Sequence, residues 1–251
     1  MSSFGELTGL SMTQSPKRLE ITPYTLASMT NQPAGDSPLV KTSAPGGALG
    51  AGLKYALTPG LTLTTTINPD FGQVEADPAV VNLSAFETFF SERRPFFVEG
   101  SGNFRFETDC NGDCSGLFYS RRIGRTPQGA DDLPSGDDVF TDAPLQTAIL
   151  GAAKLTGRIG KFSIGAMHAV TQQEVASVLS GPVRSKQSVE PLTGYSAGRV
   201  RREFANQSPA GFIVTATNRR VSSALDFLAN DGYTGGIDAD WRFKSNFSLK
   251  G

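Results

Sequence analysis

From Leu49 the chain sets apolar side chains on every second position: Leu49, Ala51, Leu53, Tyr55 and Leu57 on one side, Gly50, Gly52, Lys54 and Ala56 on the other. A two-residue period places one face of a strand against an apolar medium. Thr58, Pro59 and Gly60 supply turn chemistry. Leu61, Leu63, Thr65 and Ile67 then alternate with Thr62, Thr64, Thr66 and Asn68, so the two runs predict a hairpin. The unit recurs. Ile149, Gly151, Ala153 and Leu155 oppose Leu150, Ala152, Lys154 and Thr156, and a return strand from Phe162 to Thr171 follows a turn near Gly157–Gly160. A third hairpin joins Tyr195–Phe204 to Gly211–Asn218. A fourth opens with Gly235, Ile237, Ala239, Trp241 and Phe243 against Gly236, Asp238, Asp240 and Arg242, turns at Lys244–Asn246 and begins a further strand at Phe247.

These hairpins predict an all-β, antiparallel outer-membrane-type β-barrel, incomplete in this chain, because each strand carries an apolar face beside a polar one. The alternative is a soluble β-sandwich, whose strands also alternate. Two features favour the barrel: runs at or above the usual strand length of roughly 5 to 6 residues, and short turns that alternate with long polar connections at 124–144 and 172–194. The register predicts Leu53, Tyr55, Ile237, Trp241 and Phe243 outside, with Lys54, Asp238, Asp240 and Arg242 inside. Residues 1–45 carry Pro16, Pro23, Pro33, Pro38 and Pro45 and read as an extended connector from a missing upstream module. Residues 46–251 read as the partial barrel, with a plug-like segment at 69–125.

Within that segment the strand period is lost. Ser84 and Glu87 form a capping-box pair, predicting a short helix that ends before Pro95, with Phe86, Phe89 and Phe90 on one side. The acids Asp70, Glu75, Asp77, Glu87, Glu92 and Glu99 invite a glycosidase reading, which needs two carboxyl groups at a defined separation. The favoured account pairs them with Arg93, Arg94, Arg121, Arg122 and Arg125, whose guanidinium forks match carboxylates and would hold a non-strand segment in a polar lumen.

Composition agrees with strands and turns: 28 of 251 residues are glycine and 19% are charged, against roughly 7% and about 25% in average soluble domains. A net charge of -1 gives no reason to expect nucleic acid as a partner. No run approaches the roughly 18 apolar residues of a membrane-spanning helix, so a bilayer would be crossed by strands. The first residues lack the features of a signal peptide, and the expectation is that one lies upstream. Cys110 and Cys114, in a turn-rich loop, fit a disulfide in an oxidising compartment, although their spacing is cramped. Asp109, Asn111 and Asp113 imitate a calcium loop, but Cys114 occupies the glycine position and no Glu closes it. Zinc would want two more ligands, and His168 is distant. No metal or cofactor is expected.

The stretch from Asp70 to Gly100, with 117–125, 149–157 and 189–193, resembles the domain-of-unknown-function 5916 family. The resemblance implies an outer-membrane barrel region of a Gram-negative bacterium, preceded by a signal peptide and a carbohydrate-binding module of the family 9 type. It implies further barrel strands beyond this chain, and it supplies no catalytic residues. The expected partners are outer-membrane lipid and, through the upstream module, glycan. Three functions remain open: a glycan-linked binding or transport component, a surface carbohydrate-active hydrolase, and a structural barrel that anchors a binding module. The balance of these leans away from an enzyme.

Overall fold

In the computed structural model, residues 18–31, 37–39, 42–69, 89–106, 116–204, 208–243 and 247–250 are described. Nine strands form one antiparallel sheet. In chain order they are β1 (Leu19–Asn31), β2 (Ser43–Thr58), β3 (Leu61–Ile67), β5 (Ile149–Ile159), β6 (Phe162–Thr171), β9 (Leu192–Glu203), β10 (Pro209–Arg220), β11 (Asp231–Phe243) and β12 (Phe247–Lys250), each paired with the next. A second sheet of three strands joins β4 (Val139–Asp142), β7 (Glu174–Ser180) and β8 (Val183–Glu190). The large sheet is open, with β1 and β12 at its two edges. Among the described residues no ladder closes it into a barrel. No helix among them is long and apolar enough to cross a membrane.

The four hairpins and the opening of a further strand at Phe247 form as the alternation predicts. Register turns that alternation into two faces. One lateral row runs Leu19, Tyr55, Leu63, Leu155, Ala166, Gly198, Val214 and Gly235 across eight strands. The neighbouring row runs Glu20, Lys54, Thr64, Lys154, Met167, Ala197, Thr215 and Thr234 on the opposite face. The first face is largely apolar and open: Ile237 is 82% exposed and Leu49 72%, and on it His168 hydrogen-bonds with Ser196 at 2.9 Å. The centre of the second is covered by residues 89–106 and 116–125, and the core forms between them from Phe96, Phe97, Phe104, Ile123, Ile149, Met167, Ala169, Tyr195 and Ala197, with Phe118 packed against it.

Several expectations need correction. Residues 1–45 contain a full strand, β1, with Leu19, Ile21, Pro23, Ala27 and Met29 sharing the apolar face. The prolines hid it. Pro23 is tolerated because β1 is an edge strand of this sheet, where a missing N–H costs no ladder bond. The connection 172–194 is no loop either. It carries β7 and β8, which prolong β6 and β9 beyond Gln172 and Pro191, and β4 from 124–144 adds to them. In β5 a bulge between Ile149 and Gly151 turns Ile149 into the core, contrary to an unbroken alternation. Finally, Phe89–Arg94 is not helical, and the helix α1 (Pro95–Val98) starts at the proline instead of ending before it. Proline suits the first helical position, where its absent N–H would have no partner in the helix. Ser84 and Glu87 lie outside the described residues.

Candidate functional site

The covered face is where the sheet and the inward segment exchange charge. Arg94, with Phe96 and Phe97, is buried. Glu92 and Arg94 form a fork: Nε donates to Glu92 Oε1 at 2.8 Å and Nη2 to Oε2 at 2.7 Å. Their side chains are only 14% and 10% exposed. The remaining acceptor capacity of Glu92 is filled by the backbone N–H groups of Arg93 and Arg94 and by Ser120 Oγ at 2.5 Å. Arg94 Nη1 then donates to the Ile123 carbonyl at 2.6 Å, and Nη2 to that of Ser120 at 2.8 Å. Its guanidinium also lies 4.3 Å from the centre of the Phe97 ring. One arginine thus ties the start of α1 to the 3-10 turn Ser120–Arg122. Burial pushes the Glu92 carboxyl up, but the Arg94 fork and the Ser120 hydroxyl outweigh it and hold the group below its ordinary value.

The other end of α1 is held by the sheet. Lys154, fully buried on β5, donates to the Phe96 and Glu99 carbonyls and lies 4.7 Å from the Phe96 ring centre. These carbonyls belong to the helix end, where carbonyls lack intrahelical partners and a cation is favoured. Lys54 on β2 pairs with the Glu99 carboxylate. Gly100 follows in the left-handed region at φ 69°, and a Cβ there would stand 2.9 Å from Thr156 Oγ1. The 3-10 turn Ser101–Phe104 lies against Gly165 of β6, where a Cβ would meet the Asn103 carbonyl at 3.0 Å. Further along, Arg199 on β9 forks onto Asp238 of β11 at 2.9 and 2.7 Å, with the Phe106 ring 5.2 Å away. Tyr119 closes the set: its hydroxyl accepts from Phe90 N–H and donates to the Phe90 carbonyl.

Of the residues singled out from sequence, the structure brings Glu92 and Arg94 together and sets Glu99 against the sheet. Arg93 is exposed, and its backbone N–H donates to Glu92. Arg121 and Arg122 belong to the 3-10 turn, half-buried and exposed respectively. Arg125 is half-buried, and its carbonyl accepts from Thr147 N–H and Oγ1. Asp70, Glu75, Asp77, Glu87, Cys110 and Cys114 lie outside the described residues. Sequence reasoning missed Lys154 and Ser120 as holders of the segment. The signal for Lys154 was present, since it is the one charge on an otherwise small and apolar strand from Ile149 to Leu155. Among the described residues no group of three or more His, Cys, Asp or Glu side chains gathers to hold a metal ion.

No curated protein and no solved structure matches the chain. The family model described as Domain of unknown function (DUF5916) matches residues 15–246, nearly the whole length, and the chain therefore belongs to that family.

Proposed function

We propose that this chain is the wall and internal plug of an outer-membrane β-barrel that serves as a membrane-embedded binding or transport component linked to glycans. The observation that carries the reading is the pair of adjacent lateral rows: apolar across eight strands on one face, and on the other a mixed row whose central members Lys154, Met167 and Ala197 are buried. A soluble protein rarely exposes a contiguous apolar patch above a few hundred Å², and a sandwich would cover such a face with a second sheet. Here the second sheet instead prolongs β6 and β9. A lipid phase covers the face without any further protein.

Two more features support the same reading. The strand ends joined through 59–60, 160–161, 204–208 and 244–246 lie at one end of the sheet, whereas those joined through the longer 32–42, 68–148, 172–191 and 221–230 lie at the other. Outer-membrane barrels show this asymmetry, with short turns on the periplasmic side and long loops outside the cell. At the short-turn end, Phe162, Phe204, Trp241 and Phe243 gather on the outer face, as an interfacial girdle requires. The glycan link rests on the family resemblance alone.

Hydrolysis is the less favoured alternative. A glycosidase needs a carboxylic acid raised towards neutrality. Glu92 is shifted the other way by Arg94, and Glu99 is paired with Lys54. The test uses full-length protein reconstituted in liposomes, with Cys110 and Cys114 replaced by Ser and single cysteines placed at Ile237 or Asp238. A lipid-soluble thiol reagent should label Ile237→Cys while a water-soluble maleimide does not. Complete aqueous labelling of Ile237→Cys refutes the membrane wall. Flux of oligosaccharides across the same liposomes separates transport from a closed structural anchor.

A further inference from the structure

At the short-turn end of the outer face one position breaks the apolar pattern. Arg202 of β9 stands in the lateral row Ile159, Phe162, Arg202, Ala210, Ala239, so its side chain emerges on the open face. The next row towards the sheet centre is Ile164, Val200, Phe212 and Ile237, wholly apolar. Arg202 is therefore the last residue before the aqueous boundary on that strand, with only Glu203 ahead of the turn. It is exposed and lies between two rings, 5.5 Å from the Phe162 centroid and 4.8 Å from that of Phe204. Trp241 stands beside Phe204, with centroids 5.9 Å apart. Among the described residues no carboxylate meets Arg202, although Glu203 next to it pairs with Arg158.

A guanidinium on a lipid-facing strand is strongly disfavoured at the bilayer midplane and tolerated near the interface. The aromatic cage fixes the head group against the wall, where the rings attract its charge, and leaves its outer N–H groups open. An interface of this kind offers one abundant counter-charge: the phosphate of a phospholipid, which a guanidinium fork binds through charge-assisted hydrogen bonds. We infer that Arg202, held between Phe162 and Phe204, is a binding site for the phosphate of an anionic phospholipid in the periplasmic leaflet. The inference rests on the membrane reading above and adds a ligand class and a depth to it.

The test places the full-length protein in nanodiscs of equal parts phosphatidylglycerol and phosphatidylcholine and measures, by native mass spectrometry, which lipids remain bound. A cation near a membrane surface contributes enough that Arg202→Gln should lower phosphatidylglycerol enrichment about fivefold. Arg202→Lys should keep most of the enrichment. Resistance to alkaline carbonate extraction is read on the same samples. Protein that is embedded but equally enriched with and without Arg202 overturns the site and leaves the membrane reading standing. Wild-type protein that carbonate extracts overturns both. Should Arg202→Gln fail to embed, Phe204→Leu decides the matter: it loosens the guanidinium with the charge intact, and unchanged enrichment there overturns the site.

Discussion

Replacing Arg94 by Ala tests whether the inward segment is held by one buried ion pair. The side chain makes two contacts to Glu92 and one each to the Ser120 and Ile123 carbonyls, all between 2.6 and 2.8 Å. Truncation leaves Glu92, 14% exposed, charged in a covered site with only two backbone N–H groups and Ser120 as partners. Removing one member of such a pair costs about 3 to 5 kcal/mol, because the remaining charge is uncompensated. The discount for solvent-exposed pairs does not apply at this burial. If that cost falls on local opening of 89–104, amide protection there drops by roughly two to three and a half decades, since about 1.4 kcal/mol corresponds to a factor of ten. The sheet itself should stay protected. The measurement is hydrogen exchange on full-length, membrane-inserted protein, with chymotrypsin cleavage after the phenylalanines between 89 and 104 as a second readout. Unchanged exchange in that segment, with Arg94→Ala or with Arg93 and Arg94 both replaced, would show that the fork does not anchor it. A companion double-mutant cycle with Glu92→Gln should return a coupling energy of comparable size if the two residues act as a pair.

Acid should loosen the same segment. The folded Glu92 carboxyl titrates below its ordinary value of 4.5, so its contribution is fully present above that value and is lost as pH falls through the depressed one. Protection of 89–104 should thus hold from neutral pH down to about 5 and fall below the usual carboxylate range, and Glu92→Gln should remove that step from the hydrogen-exchange profile. Lys154→Met should destabilise the end of α1 by roughly 1 to 3 kcal/mol for each carbonyl left without a donor, seen as faster exchange at Glu99 and Asn103 while β5 stays paired. Val214→Arg, in a row deeper in the sheet than those of Arg202 and Ile237, should lower the unfolding free energy of the reconstituted protein by about 2 to 4 kcal/mol, whereas Thr234→Arg on the opposite face should not follow that depth rule. Denaturant titration in liposomes measures both, and equal costs at the two positions refute the assignment of faces.

The alternation along each strand is a local property of the chain, and it determined which side chains share a face before any partner was known. Ile237 against Asp238, and Leu53 against Lys54, needed only the pleat. The tight turns at Pro59–Gly60 and after Ile159 likewise followed from residues adjacent in sequence. What the tertiary structure decided lies between distant segments. The pairing of β6 with β9, with β7 and β8 carried outward between them, depends on where the ladder stops at Thr171 and Thr193, and no period marks that point. The bulge at Ile149 flips one side chain without changing composition. Strand β1 carried a legible alternation at Leu19 and Ile21, yet its prolines read as a connector until the sheet showed that it lies on an edge. The anchors of the inward segment were the least legible. Arg94 and Lys154 end on carbonyl oxygens of Ser120, Ile123, Phe96 and Glu99. Every residue carries a carbonyl, so the choice of acceptor leaves no trace in the sequence and is made only when the chain folds back onto its own sheet.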